Sequence, residues 1–134
     1  MEPAGSLFSQ VALTLTILLA SYDQIGEGVI VIKMYNKLVR DRIPEIIEAS
    51  GKTCRTRILS DDEYLAMIDA KLDEELAEYH EAQNLEELAD LLEVVYAAAT
   101  ARGYTLTQLE RVRTDKAERR GAFSKRVFLE QVIE

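Results

Sequence analysis

The chain has 134 residues, enough for one domain with a buried core and too few for two independent ones. Its composition, 48% hydrophobic and 30% charged, is that of a globular protein and not of a disordered or membrane-embedded one. A net charge of −8 argues against a nucleic-acid-binding surface, and the single cysteine, Cys54, excludes both an intrachain disulfide and a thiolate metal site, so a reducing, cytoplasmic setting is expected.

Residues 1–33 differ in texture from the rest of the chain. Leu7 to Ala20 is mostly apolar, but Ser9 and Gln10 interrupt it and it falls short of the roughly 18–20 residues that span a bilayer. Ahead of it stand Glu2 and no Lys or Arg, so neither a membrane span nor a signal peptide is expected. Val29 to Ile32 has the composition of a short strand, while Gly26 and Gly28 read as a linker. The expectation is an N-terminal extension over 1–33, disordered or loosely attached, ahead of a domain over 34–134. It is either a dispensable arm or sequence upstream of a true start at Met34.

From Met34 the sequence becomes dense in signals. Lys37, Arg40 and Arg42 put three cations into six residues, and the next stretch to Gly51 reads as a short helix. Pro44 suits its first turn, Glu45 complements the dipole, and Gly51 supplies the stop. Residues 52–59, polar with β-branched members, are expected to be an extended connector or short strand. Ser60 with Glu63 forms a capping-box pattern and opens a helix to about residue 82, whose stripe of Leu65, Ile68, Leu72, Leu76 and Tyr79 should face a core. Asn84 with Glu87 starts the next helix, running toward Gly103. Its segment 88–99 is apolar almost all round and is expected to be the buried centre. Thr105 or Thr107 caps a last charged helix to about Arg119, broken by Gly121, and Phe123 to Ile133 forms a mixed tail.

The chemistry concentrates in two acidic pairs. Glu75 and Glu78 stand three residues apart on one helix, Glu87 and Asp90 three apart on the next, so each pair shares a helix face. Like charges at this spacing cost about 0.2–0.5 kcal/mol per pair, and the repetition calls for a cation. Asp90 and Glu93 are the only charges in the apolar segment 88–99, and a carboxylate buried there needs a partner, a metal or a raised pKa. Arg or Lys partners are the plain alternative. A short connection makes the helices antiparallel neighbours, which lets the pairs face each other. Oxygen ligands select Mg²⁺ or Mn²⁺, and His80, the sole histidine, is not expected to ligate or to act as a base. Asp61, Asp62, Glu63, Asp73 and Glu81 read as a solvated face.

The pattern E-E-x-x-E, then E-x-x-D on consecutive helices, resembles the all-α nucleoside triphosphate pyrophosphohydrolases, the MazG-like superfamily that includes phosphoribosyl-ATP pyrophosphohydrolase. Tyr35 to Pro44 and Lys116 to Phe123 look like one branch of it, the predicted house-cleaning enzymes, and the resemblance covers about Met34 to Glu130. It implies an all-α antiparallel helix bundle, assembled as a homodimer or homotetramer. It also implies cleavage of a nucleoside triphosphate, canonical or not, into monophosphate and pyrophosphate. Metal ligation would fall on Glu75, Glu78, Glu87 and Asp90. One of these carboxylates, or Glu74 beside them, would orient or deprotonate the attacking water. Lys37, Arg40 and Arg42 on one side, and Lys116, Arg119 and Arg120 on the other, are the candidate clamp for the polyphosphate. Glu93 would either join the metal shell or pair with a basic residue of the N-terminal loop. Tyr96 and Phe123 are candidates for stacking on a base, with core packing the simpler role. Two features depart from the family pattern: only eight residues separate Glu78 from Glu87, and Ala122 stands where a second glycine is usual. The other readings are a phosphoribosyl-ATP pyrophosphohydrolase and a non-catalytic acidic helical module.

Overall fold

The computed structural model describes residues 21–25 and 28–134. The apolar run Leu7 to Ala20 and the linker residue Gly26 lie outside the described residues. Strands β1 (Ser21–Ile25) and β2 (Gly28–Ile32) pair antiparallel from Ser21 opposite Ile32 to Ile25 opposite Gly28. The strand reading of Val29 to Ile32 therefore extends back to Gly28, which belongs to the ladder and not to a linker. All the rest of the regular structure is helical: α1 (Ile43–Ala49), α2 (Asp61–Ala82), α3 (Leu85–Ala101) and α4 (Leu106–Arg120).

Local chemistry sets each helix boundary. In α1, Pro44 lies in the first turn, and Gly51, at φ +87°, takes a conformation that costs a side-chain-bearing residue more. Residues 52–60 form an irregular connector with no strand pairing, which decides between the two readings of 52–59. Helix α2 begins with the reciprocal box of Ser60 and Glu63. Arg57 reinforces it from the connector, its Nη2 lying 2.6 Å from Glu63 Oε2. The hydrogen bond from Arg57, with those from Ser60, holds the Glu63 carboxyl down to about 2. Gln83 ends α2 in the left-handed region at φ +51°, and Asn84 then caps α3, its Oδ1 accepting from Glu87 N at 3.0 Å. Two residues thus turn the chain back on itself. Thr105, the first of the two expected caps, opens α4 with Gln108 as its reciprocal partner.

Helices α2 and α3 pack along most of their length, α4 closes on α3, and Arg102 reaches back to Asp69 at 3.3 Å. Of the expected stripe on α2, Ile68 is buried, Leu65, Leu72 and Tyr79 are half-buried, and Leu76 is exposed. The expectation that 88–99 is a buried centre is corrected: Val94 alone in that segment is buried, while Leu88 and Leu92 remain 43% and 48% exposed. The cause is that among the described residues α3 packs broadly only on α2, with a slighter contact to α4, and a helix apolar all round needs more cover than that. Among the described residues no helix is long and apolar enough to cross a membrane.

Candidate metal centre

The seam between α2 and α3 is built around acids. On α2 the buried residues are Ile68, Glu75 and Glu78; on α3 they are Glu87 and Val94. Spacings of three, four and seven keep such residues on one helix face, so the face carrying Ile68 toward α3 necessarily carries Glu75 with it. The Gln83–Asn84 reversal then sets Glu87 and Asp90 against them. One carboxylate oxygen from each of Glu75, Glu87 and Asp90 lies within 4.8 Å of the others. That is the spread of atoms that share a cation. The short junction has not separated the two pairs.

Three oxygens in this seam, Glu75 Oε2, Glu78 Oε2 and Glu87 Oε2, are buried and accept no hydrogen bond. An orphaned buried carboxylate oxygen carries its full desolvation cost. Burial, followed by the charge of Glu75, raises the Glu78 carboxyl to about 8. Burial, then Asp90 and Glu75, raises Glu87 as well. A set of buried oxygens that point together and lack donors suits a hard cation. Glu75, Glu87 and Asp90 can hold a metal ion in this arrangement. Glu78 stands outside that trio, close enough to Glu75 and Glu87 for their carboxylates to raise its own.

The irregular loop over 33–42 brings its cations to the same place. Lys37 Nζ lies 3.0 Å from Glu74 Oε1, and Arg40 Nη2 lies 2.7 Å from Asp90 Oδ1. Glu74 is therefore held by Lys37 and, on its own helix, by Lys71. Burial pushes its carboxyl up, but the Lys37 hydrogen bond and the Lys71 charge outweigh that and leave it lowered. Arg40 is the basic partner that Asp90 was expected to need.

The remaining candidates are more distant. Arg42 pairs with Glu45 at 3.3 Å on the exposed start of α1. Lys116, Arg119 and Arg120 sit in the last turns of α4, and among the described residues no ion pair links them to the carboxylates. Glu93 is exposed and outside the trio, and the pairing with the N-terminal loop falls to Asp90 instead. Tyr96 lines a shallow groove with Leu106 and Leu109, away from the acids, and Phe123 is 96% exposed. His80 is exposed beside the Tyr79 ring.

One residue of the centre escaped the sequence reading. Lys71 Nζ sits 3.2 Å from Glu74 Oε1 and 3.1 Å from Glu75 Oε1, with its side chain 11% exposed. The signal was legible: a lysine three and four residues before two consecutive glutamates shares their helix face.

No protein-family model and no solved structure matches this chain. A protein of Mycolicibacterium smegmatis described as uncharacterized is 67% identical to it over 46 residues, which is 34% of this chain and 47% of that protein. The match thus spans about half the length of the relative.

Proposed function

We propose that the protein is a Mg²⁺- or Mn²⁺-dependent pyrophosphohydrolase of the MazG-like type, converting a nucleoside triphosphate to monophosphate and pyrophosphate in a house-cleaning role. The observation that carries this reading is the trio Glu75, Glu87 and Asp90, two of whose members keep a buried oxygen without a donor, bordered by Lys37 and Arg40 from a separate loop. Glu75, Glu87 and Asp90 would hold the ion, with Glu78 beside them. Bound there, a divalent ion supplies charge neutralisation and an acidified water. Glu78, buried beside Glu75 and Glu87, is suited to hold or take a proton at its carboxylate. Arg40, half-exposed at the edge of the trio, would exchange its contact with Asp90 for phosphate oxygens. Lys37 would complete that side of the clamp. Lys116, Arg119 and Arg120, near the end of α4, would supply the other side of the clamp.

Assembly is part of the proposal. Leu76, Leu88 and Leu92 expose an apolar strip on the packed helix pair, and two such pairs face to face form a four-helix bundle with two-fold symmetry. A homodimer is the smallest assembly that covers it.

A panel of canonical and modified triphosphates and phosphoribosyl-ATP, incubated with the purified chain and Mg²⁺, tests the reading through pyrophosphate release. Release from one or more nucleoside triphosphates is expected. Release from phosphoribosyl-ATP alone would assign the chain to histidine biosynthesis instead. No turnover of any of them, with Glu75→Ala and Asp90→Ala affecting stability only, would leave an acidic binding module.

A further inference from the structure

The reading of the trio as a metal centre leaves open how many ions it takes, and the inference drawn here rests on that reading. Carboxylates that serve two metal ions about 3.5–4 Å apart often do so by bridging, one oxygen on each ion. In this trio Glu75 and Asp90 each have one oxygen already engaged by a cation of the chain. Glu75 Oε1 is 3.1 Å from Lys71 Nζ, and Asp90 Oδ1 is 2.7 Å from Arg40 Nη2. On Glu75 the oxygen that remains is Oε2, buried and without a donor, as are Glu78 Oε2 and Glu87 Oε2. Glu75, Glu78 and Glu87 thus each keep one buried oxygen without a donor.

Lys71 differs from Arg40 in being fixed. Its ammonium is held between Glu74 and Glu75 of its own helix, at 3.2 and 3.1 Å, and its side chain is 11% exposed where that of Arg40 is 49% exposed. We infer that the Lys71 ammonium is a built-in cation standing where a second metal ion would bridge Glu74 and Glu75, so that the centre binds one divalent ion per chain. Lys71 is a positioning residue. It acts through Glu75, retaining Oε1 and leaving the donor-free Oε2 for the ion.

Calorimetric titration of the metal-free full chain with Mn²⁺, with bound ion counted by electron paramagnetic resonance, reads this number directly. Wild type is expected to saturate at one Mn²⁺ per chain, Lys71→Arg likewise at one, and Lys71→Gln at two. A lysine with a merely structural role would shift the melting temperature and leave the count alone. Two ions in wild type, or one in a folded Lys71→Gln, overturns the inference while the metal centre stands. No Mn²⁺ bound by wild type overturns both. Should Lys71→Gln fail to fold, the counts for wild type and Lys71→Arg decide alone: one and one supports the inference, and two in either overturns it.

Discussion

Glu78 and Glu87 are where stability and function pull apart. The Glu78 carboxyl, raised by burial and by Glu75 to about 8, lies above its ordinary value near 4.5. Between those two pH values the folded chain holds a proton that the unfolded chain has released, so stability present in acid is lost as pH rises toward 8. The limiting slope for one such group is about 1.4 kcal/mol per pH unit. Urea unfolding of the metal-free protein from pH 5 to pH 8 should show this decline, and Mn²⁺ should oppose it by displacing the proton. Glu87→Gln keeps the shape and removes a buried charge facing Asp90 and Glu75, whose oxygens can accept from the new amide. It is expected to stabilise the metal-free protein by roughly 1 kcal/mol in EDTA while abolishing Mn²⁺ binding. Loss of stability together with retained binding would contradict the ligand role of Glu87.

At the scale of elements, the site depends on a reversal only two residues long. Gln83 adopts φ +51° at the end of α2 without a glycine's freedom, and Asn84 must cap α3 immediately afterwards. Gln83→Gly relieves the backbone there and should raise unfolding free energy by about 0.5 kcal/mol after allowing for the added freedom of the unfolded chain. Asn84→Ala removes the acceptor of the Glu87 N–H and should cost about 1 kcal/mol. It should also weaken Mn²⁺ binding, because the capped turn carries a ligand. Much of this element structure was legible beforehand. Ser60 with Glu63, Asn84 with Glu87, Thr105 and Gly121 marked the helix ends through local backbone chemistry, which operates over three or four residues. The pairing of Ser21–Ile25 with β2 was not legible, since one half of a hairpin does not reveal the other without its register.

Over the whole molecule, the described chain buries three acids as deeply as it buries Ile68 and Val94, and leaves leucines of α2 and α3 in solvent. The proposed second copy against that strip would resolve the imbalance. Light scattering is expected to give a dimer or a multiple of it, and Leu92→Glu, which places a charge on the strip, should shift the protein toward monomer with a lowered melting temperature. A wild-type monomer would dismiss the assembly proposal.

By itself the sequence determined the helices, their caps and the acidic faces of two of them, because helix periodicity and capping are local. That Glu75, Glu87 and Asp90 share one cluster, that Glu78 stands beside it, and that Lys37 reaches Glu74 were decided only in three dimensions. So was the pairing of Arg40 with Asp90, fifty residues apart in the chain. These contacts depend on how the α2–α3 seam and the loop over 33–42 meet, and no local rule relates positions so far apart in sequence.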